Sequence, residues 1–406
     1  MNAKPALLFY CQHSLGMGHL VRAFGLVRAL TRDFNVVLLN GGRFPEGINA
    51  PPDMKVVDLP PLGMDNASQL VSLDDRYSVE EAKALRRRRI MTTFETLKPA
   101  VILVELFPFG RKKFADEIVP LLEAARAAGR TRPKVLCSLR DILVGSRGDK
   151  QRHDDRAARL INDLFDAVLV HADPGFVRLE ESFRPSFPLQ VPVHYTGFVT
   201  AVRAPAAGQS RERCLVVSAG GGMVGAPLFR AAVEAQRILA GGQPLPMRIV
   251  AGPFLPEQDW KWLQAAADDT CGLELVRSVP DLGTMFGQVA ASVSQCGYNT
   301  AMELLASNVA ALVVPFAEGR EDEQSNRARR LQRIGLVRML EPAHLNPAAL
   351  ADALRTLADF QPSAARLSLD GARNTVEIIG QIISNRGSAL AQCGSVTVEA
   401  GHEQLA

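Results

Sequence analysis

Short apolar runs alternate with amphipathic stretches along most of the chain. The runs are rich in Val, Ile and Leu, and the stretches between them repeat apolar residues at helical spacing. Apolar strands that alternate with helices are typical of parallel sheets covered on both faces. The N-terminal half is therefore predicted to form such a sheet, from the runs ALLFYCQ, FNVVLLNGG, KVVDLP, AVILVELF, KVLCSL and AVLVHAD.

A segment rich in Ala, Pro and polar residues interrupts this alternation at residues 200–213. The alternation then restarts with CLVVSAGGG, MRIVAGPF, LELVRSV, ASVSQCG and AALVVPF. The sequence thus predicts two doubly wound α/β lobes, residues 1–199 and 214–385, joined by a linker at 200–213 and facing a central cleft. Residues 386–406 have no clear period and are predicted to form a disordered tail. Ligands of doubly wound sheets bind beyond the carboxyl ends of the strands, so the cleft is the predicted site.

Composition narrows the function classes. The formal net charge of +3 is too small to indicate nucleic acid as a partner. The six cysteines are scattered without a CxxC pair, which argues against a zinc site or a disulfide framework and favours a reducing cytoplasm. No apolar segment approaches the roughly 18 residues that would predict a membrane span. No DxD motif stands out, so no metal site is predicted.

The first glycine-rich turn follows the first predicted strand, in the stretch YCQHSLGMGHLVRAF. Gly16 and Gly18 begin a dinucleotide-type fingerprint, but Val21 stands where its third glycine would be. The second strand ends at Asn40 rather than at an acidic residue. Both departures argue against dinucleotide binding, and they leave a turn that brings the backbone close to a ligand.

His19 follows this turn, at the first turn of a predicted helix. The positive end of the helix dipole disfavours an imidazolium there. A neutral imidazole at the edge of a cleft can accept a proton from an attacking hydroxyl or water. The alternative is a histidine that caps the helix or is merely structural, and the residues alone leave both interpretations open.

A second glycine turn joins a strand to a helix in SVSQCGYNTAMELLAS. The backbone amides of residues 297–300 would point out of the N-terminus of that helix, where a diphosphate binds favourably. Glu303 lies one turn further, and its carboxylate could accept both hydroxyls of a ribose. Residues 300–303 also form a T-x-x-E capping box, which needs no ligand.

Three other stretches allow both a functional and a structural interpretation. Glu323 and Gln324 begin a helix in a charged loop, which is typical of a solvated helix start. Gly220 and Gly221 lie in VVSAGGGMVG, where glycines permit close approach to a ligand or form a flexible turn. The basic run at residues 86–89 is typical of a solvated helix face, and its alternative is contact with an anionic acceptor or membrane surface.

These stretches together resemble a glycosyltransferase of the GT-B fold. QCGYNTAME is similar to the HCGWNSxxE core of the nucleotide-sugar box in plant and bacterial UDP-sugar glycosyltransferases, and the spacing onward to Glu323 and Gln324 also fits. GMGHL is similar to the Gly-Gly-His turn of the family 28 N-acetylglucosaminyltransferase that completes the lipid-linked peptidoglycan precursor. SLGMGHLVRA, ELFPFGR and the EQxxRARRL pattern resemble the predicted glycosyltransferases related to that family. The resemblance covers both lobes.

The resemblance implies a role for each matching residue. His19 would be the catalytic base. The acceptor side would be formed by Gly16, Gly18, Glu105, Phe107 and Arg111, the last three from the stretch VELFPFGRKKF at the end of a strand. The donor would be bound by Gly220, Gly221, Gln295, Gly297, Tyr298, Asn299, Thr300, Glu303, Glu323 and Gln324. Gln295 departs from the box, which opens with His, and it supplies no positive charge to the diphosphate.

The implied protein is an inverting, metal-independent glycosyltransferase with two Rossmann-like lobes, an N-terminal acceptor lobe and a C-terminal donor lobe. Its co-substrate would be a nucleotide sugar, with a UDP sugar expected ahead of sugars of other nucleotides. No further cofactor is implied, and the acceptor is unidentified. It would be cytoplasmic, with the inner face of the membrane as a peripheral contact through Arg86, Arg87, Arg88 and Arg89. One rival is a nucleotide-sugar hydrolase, since the pattern GxGHxxR also resembles the enzyme that releases sugar from UDP in pseudaminic acid synthesis. The other is a sugar-nucleotide-binding protein without catalysis.

Overall fold

The structure is a computed structural model that describes residues 4–13, 18–44, 50–65, 69–143, 149–200, 210–242, 244–317 and 322–393. The N-terminal lobe contains strands β1 (Ala6–Cys11), β2 (Asn35–Asn40), β3 (Lys55–Asp58), β4 (Leu62–Met64), β5 (Leu70–Ser72), β6 (Val101–Glu105), β7 (Lys134–Arg140), β8 (Ala167–His171) and β9 (Val193–Tyr195). Its helices are α1 (Gly18–Leu30), α2 (Val79–Leu97), α3 (Ala115–Ala127), α4 (Lys150–Leu164) and α5 (Leu179–Ser182), with 3-10 turns at Lys112–Phe114 and Gly129–Thr131.

Seven of these strands form one parallel sheet in the order β3-β2-β1-β6-β7-β8-β9, and β4 and β5 form an antiparallel pair beside it. The sheet is parallel because each strand is followed by a crossover, and its core strands β1, β6 and β8 are almost fully buried, as their apolar runs predict. The strand order reverses between β1 and β6. A crevice forms at such a switch point, beyond the carboxyl ends of the strands.

The C-terminal lobe repeats the same plan. Its strands are β10 (Glu212–Ser218), β11 (Met247–Val250), β12 (Leu273–Val276), β13 (Val289–Ser294), β14 (Ala310–Val313) and β15 (Arg338–Met339). Its helices are α6 (Ala226–Leu239), α7 (Glu257–Asp268), α8 (Leu282–Gln288), α9 (Tyr298–Ser307), α10 (Glu323–Arg333) and α11 (Pro347–Arg355), with 3-10 turns at Ala240–Gly242 and Pro342–His344. The six strands form a parallel sheet in the order β12-β11-β10-β13-β14-β15, so the prediction of two doubly wound lobes is confirmed.

The last helix, α12 (Gly371–Cys393), does not stay with the C-terminal lobe. Ile379 is fully buried in the same core as Leu20 and Phe24 of α1. The chain therefore crosses back to the N-terminal lobe, a feature that the linear division at residues 214–385 does not contain. The predicted tail begins inside this helix, and its part beyond residue 393 lies outside the described residues, as do positions 201–209 of the predicted linker.

Candidate functional site

The carboxyl ends of both sheets and the N-termini of α1 and α9 meet between the lobes. Asn299, at the start of α9, donates from its side-chain amide to the carbonyl oxygen of Gly18, the first residue of α1, at 3.0 Å. The two glycine turns singled out in the sequence therefore lie opposite one another. Gly16 falls outside the described residues, so the structure says nothing of its placement.

His19 and Glu105 form a hydrogen-bonded pair at this point. Glu105 is the last residue of β6, which pairs with β1 directly before the α1 turn, and this register brings its carboxylate below the helix N-terminus. The Nδ1 of His19 lies 2.7 Å from Oε1 of Glu105. Since the carboxylate accepts, Nδ1 carries the hydrogen, and Nε2 keeps a lone pair that can take a proton.

Burial decides the protonation state of this pair. Burial, together with the cations Arg111 and Arg22, lowers the pKa of His19 to about 3, although Glu105 acts in the opposite direction. For Glu105, burial raises the pKa, but His19, Arg22 and Arg111 outweigh it and hold the pKa below its usual range. At neutral pH the pair is therefore a neutral imidazole on a carboxylate, the state that a general base requires.

Two arginines complete the surroundings of Glu105. Arg22, one turn along α1, donates to Oε1 of Glu105 and is almost fully buried. Nη2 of Arg111 lies 3.9 Å from Oε2 of the same carboxylate. Arg111 and Glu105 were both predicted for the acceptor side, and the structure places them beside His19. Arg22 was part of a quoted pattern but had no predicted role.

Phe107 does not line the cleft, and its predicted place on the acceptor side is a correction. Its ring is 1% exposed and packs in the N-terminal core. Phe109 is equally buried, with its ring centroid 4.9 Å from that of Phe183. The aromatic content of the stretch serves the core because a loop between β6 and α3 must cover the apolar end of the sheet.

The N-terminus of α9 is open in the way that an anion site requires. Gly297 is the N-cap residue, in an extended conformation, and among the described residues no side chain accepts a hydrogen bond from the first amides of the helix. Thr300 lies inside the helix and is buried, so the T-x-x-E capping box does not form. The first backbone N–H groups of α9 are therefore free of side-chain caps, and the helix dipole favours an anion there.

Glu303 lies one turn into α9 and is half-buried. Its carboxyl makes no hydrogen bond or ion pair within the described part of the chain. Burial, with a smaller contribution from the charge of Asp281, raises its pKa to about 8. A half-buried carboxyl without a partner among the described residues is available to hydrogen-bond a ligand's hydroxyl groups.

The side chain of Tyr298 joins the lobes and is buried against the N-terminal lobe, whereas its predicted contact with the donor is through the backbone amide at the start of α9. Its hydroxyl donates to the carbonyl oxygen of His171 at 3.0 Å and accepts from the amide of Val199 at 2.9 Å. The guanidinium groups of Arg22 and Arg327 lie 5.3 Å and 5.8 Å from its ring centroid. The aromatic residue of the box is thus a structural contact in this chain.

Glu323 and Gln324 are both engaged at the start of α10. Glu323 is 6% exposed and pairs with Arg140, at the end of β7 in the other lobe, at 3.0 Å and 2.5 Å. It is therefore no solvated helix start. Oε1 of Gln324 accepts from the amides of Cys296 and Phe316, at 3.0 Å and 3.1 Å, and so ties together the loops after β13 and β14.

Gln295 and the glycine loop complete the donor side. The amide of Gln295 donates to the carbonyl oxygen of Val224 at 3.1 Å, so it holds the loop after β10. In that loop Gly222 has φ +88°, and a Cβ there would lie 2.1 Å from the carbonyl oxygen of Ala251. Gly221 packs on Phe254, whereas Gly220, with φ +56°, faces Thr300. Of the two predicted glycines in this loop, Gly220 is the one that faces α9.

The sequence reasoning missed the buried charge pair that closes the interface. Arg327 of α10 donates to both carboxylate oxygens of Asp141, after β7, at 2.7 Å and 2.8 Å, and both side chains are fully buried. Arg327 also donates to the carbonyl oxygen of Cys296 at 2.7 Å. The stretch RARRL contains Arg327, but an arginine in a predicted helix is expected to be exposed unless a partner in the other lobe is known.

The four arginines at residues 86–89 lie on different sides of α2, and one of them is buried while three are exposed. Arg86 is fully buried, contrary to both interpretations of the run, and it pairs with Glu117 and donates to Gln12 and the carbonyl oxygens of Gly41 and Pro60. Arg87, Arg88 and Arg89 are exposed on the other side of α2. In the described ranges no group of three His, Cys, Asp or Glu side chains is arranged to hold a metal ion, and no helix is long and apolar enough to cross a membrane.

Comparisons with known proteins place this geometry in a class. The whole fold is similar to Acinetobacter baumannii MurG, with TM-score 0.56, 17% identity, and coverage of 93% of this chain and 100% of that one. It is similar to the calicheamicin glycosyltransferase CalG4, with TM-score 0.56, 17% identity and coverage of 98% and 100%. It is also similar to Phytolacca americana UGT2 complexed with UDP-2-fluoro-glucose and pterostilbene, with TM-score 0.56, 14% identity and coverage of 96% and 99%. The chain therefore has the GT-B fold, as predicted.

The C-terminal lobe gives the relation more narrowly. Residues 221–378 match the glycosyltransferase family 28 C-terminal domain. A segment of 97 residues is 32% identical to the UDP-N-acetylglucosamine--N-acetylmuramyl-(pentapeptide) pyrophosphoryl-undecaprenol N-acetylglucosamine transferase of Ralstonia nicotianae. That segment is 24% of this chain and spans 27% of the relative's length. By fold and by C-terminal domain the protein is of the GT-B glycosyltransferase class and related to family 28, which confirms the resemblance seen in the sequence.

Proposed function

We propose that the protein is an inverting glycosyltransferase that moves a sugar from a nucleotide donor, in the first place a UDP sugar, to an acceptor hydroxyl without a metal ion. The observation that carries the proposal is the hydrogen bond between His19 and the Glu105 carboxylate, opposite the N-terminus of α9. A base for the acceptor and a site for the leaving diphosphate thus lie on the two sides of one cleft.

The chemical step assigns a role to each group. Nε2 of His19 takes the proton of the acceptor hydroxyl while its oxygen forms a bond to the anomeric carbon. The bond from that carbon to the diphosphate oxygen breaks, and the electron pair leaves with the diphosphate. Attack from the side opposite the leaving group inverts the anomeric centre. Glu105 acts through His19: it fixes the tautomer and stabilises the imidazolium that forms.

The leaving group is stabilised from the C-terminal lobe. The first N–H groups of α9 supply positive potential where negative charge develops on the diphosphate, and this is the role that a divalent metal would otherwise take. Glu303 would accept the ribose hydroxyls. The choice of UDP follows the names of two similar proteins, a UDP-N-acetylglucosamine-dependent transferase and one complexed with UDP-2-fluoro-glucose.

Glu323 would read hydroxyls of the donor sugar, as the resemblance implies. In this structure both of its oxygens face Arg140. Donor binding would therefore rearrange this pair or add the sugar beside it. The proposed contact with an anionic membrane surface is limited to the exposed arginines of the basic run, Arg87, Arg88 and Arg89. A cytoplasmic location stays a prediction.

A donor panel tests the proposal. Thermal shift with nucleotides and nucleotide sugars should show stabilisation by a uridine diphosphate sugar, about 2.7 kcal/mol at 100 times its dissociation constant. Incubation of that donor with a mixed acceptor extract should release UDP faster than incubation without acceptor. UDP release at the same rate without any acceptor would support the hydrolase instead, and binding without turnover in either case would support a binding protein.

A further inference from the structure

Resting on the proposed function, we infer that Arg111 and Arg22 form an oxyanion pocket beside His19, and that the acceptor carries a phosphate or carboxylate group that this pocket holds. The group would bind close to the hydroxyl that attacks the donor. The inference names a substrate class, an anionic acceptor, and assigns Arg111 and Arg22 to its recognition.

The first observation is a set of buried hydrogen-bond donors without an acceptor. Nε and Nη2 of Arg111 and Nε of Arg22 are shielded from solvent and have no hydrogen-bond partner within the described residues. The side chains are 15% and 2% exposed. Buried guanidinium donors in folded proteins are nearly always paired. Oε2 of Glu105 is also without a hydrogen-bond partner within the described residues and lies 3.9 Å from Nη2 of Arg111. Even with that contact made, Nε of Arg111 and Nε of Arg22 would lack an acceptor.

The second observation is the charge balance. Arg22 and Arg111 bring two positive charges to Glu105, which brings one negative charge, and His19 is neutral. The nearby carboxylates are already occupied, Asp141 by Arg327 and Glu323 by Arg140. One positive charge is left over in a mostly buried setting. Buried charges are paired in stable proteins, so an anion restores the balance.

The third observation concerns the backbone that presents Arg111. Its φ is +58°, in the left-handed region that residues with a side chain seldom adopt. It lies between Gly110 and the 3-10 turn Lys112–Phe114, and Leu106 at the other end of the same loop has φ +65°. Outliers of this kind persist where the surrounding structure holds them and are frequent in binding sites.

The position of the pocket favours the acceptor over the donor. Arg111 follows β6 and its described ion pair lies within the N-terminal lobe, on the same carboxylate that orients His19. The uncapped amides proposed for the donor diphosphate belong to α9 of the other lobe. The planar guanidinium fork suits a two-oxygen anion, and both phosphate and carboxylate offer one.

Titration calorimetry with inorganic phosphate, and separately with acetate, tests the pocket in the full chain at low salt. We expect Arg111→Gln to weaken phosphate binding roughly tenfold or more, because charge-assisted hydrogen bonds are lost. Lys112→Gln removes the same charge from the exposed neighbouring position, and its phosphate affinity should stay within about twofold of the unaltered protein. Tighter binding of phosphate than of acetate assigns the group to a phosphate, and the reverse assigns it to a carboxylate.

Several results would overturn the inference. One is that neither phosphate nor acetate binds to the unaltered protein. Another is that phosphate binds equally to the unaltered protein and to Arg111→Gln. A third is that Arg111→Gln loses as much affinity for UDP as for phosphate. If Arg111→Gln melts early, Arg111→Lys replaces it, and an unchanged phosphate affinity in that variant would contradict a fork-shaped site. UDP titration of the unaltered protein separates the two proposals, since failure to bind UDP removes the proposed function and leaves the phosphate result to decide the pocket.

Discussion

His19 is held by a carboxylate from a neighbouring strand, and that contact sets both its tautomer and its orientation. The sequence placed it at the first turn of a helix and left open whether it acts or merely stabilises. A structural histidine would use both ring nitrogens, as His171 does between Ser138 and Thr196. His19 uses Nδ1, while Nε2 has no partner within the described ranges.

His19→Gln should abolish sugar transfer and spare donor binding. Glutamine cannot accept a proton, so the chemical step should slow by roughly 10²–10⁴, whereas the proposed donor contacts lie on the other lobe. Single-turnover kinetics and UDP titration of the same protein measure the two effects. Near-normal turnover in this variant would return the role of base to another group.

The pH dependence of transfer should carry the signature of the buried pair. Since burial lowers the pKa of His19 to about 3, the imidazole stays unprotonated between pH 5 and pH 8. The rate should therefore show no fall between pH 8 and pH 5 that is due to this residue, in contrast to an exposed histidine with a pKa near 6.5. If the rate halved close to pH 6.5, and Glu105→Gln left that midpoint unchanged, His19 would titrate like an exposed histidine. That result would contradict the assigned environment.

Glu303→Gln should make the protein more stable at alkaline pH. The pKa of Glu303 is raised to about 8, so the folded state binds its proton more tightly than the unfolded chain does. Its contribution to stability is present below about pH 4.5 and is lost as the pH rises to about 8. Glutamine mimics the protonated form, so at pH 9 the variant should exceed the unaltered protein by about 1–3 kcal/mol.

Denaturant melts at pH 5 and pH 9 measure this difference. Glu95→Gln, on the exposed face of α2, is the matched control and should show no such gain. If Glu303→Gln gained nothing at pH 9, the carboxyl would be solvated and would titrate like an ordinary glutamate. The same variant should also bind UDP less tightly if Glu303 receives the ribose hydroxyls.

The first turn of α9 contains side chains that pack between the lobes and, at its N-cap, a glycine that makes no such contact. Tyr298 and Asn299 face the other lobe, with Thr300 buried beneath them. Gly297, the N-cap, has nothing within 4 Å of the position where a Cβ would be, and its φ of −61° suits any residue. Neither packing nor backbone conformation therefore requires glycine at this position.

Gly297→Ala should fold normally and bind the donor poorly. An alanine N-cap costs within about 1 kcal/mol of stability, while its methyl group would occupy the face that the α9 amides offer to a diphosphate. UDP affinity should therefore fall by about tenfold or more. Gly241→Ala, also with nothing within 4 Å, is the control and should bind normally. Equal UDP affinity in both variants would remove α9 from the donor site.

The strands were predictable because the signal is local, whereas the contacts of single side chains were not. Apolar runs such as residues 101–105 identify buried parallel strands without knowledge of the rest of the chain. The ring of Phe107 and the guanidinium of Arg86 have sequence neighbours that suggest a site or a surface, yet they are buried by elements distant in sequence. Glu303 could be placed near the helix start, but its lack of a partner depends on how α8 and α9 pack.

At the level of the whole molecule, the two lobes are joined by buried groups that a linear division of the sequence does not show. The ring of Phe198 lies against both Phe176 and Tyr298, so one aromatic cluster spans the lobes. Helix α12 returns to pack on α1. The cleft therefore has a closed side, where the chain holds both lobes together.

Arg327→Met should destabilise the protein more than Arg140→Gln, although each breaks a pair between the lobes. Arg327 and Asp141 are fully buried, so removal of one partner leaves an uncompensated charge and should cost about 3–5 kcal/mol. In the pair of Arg140 with Glu323, 18% of the arginine side chain is accessible and the carboxylate is mostly buried, so water can reach Glu323 in part and its loss of a partner should cost about 1–3 kcal/mol. Urea unfolding of both variants measures the difference.

The double variant Arg327→Met with Asp141→Leu should recover much of the loss, because a buried ion pair replaced by apolar groups of similar size leaves no unpaired charge. If Arg327→Met alone were as stable as the unaltered protein, the interface between the lobes would be solvated, and the closed side of the cleft would open in solution.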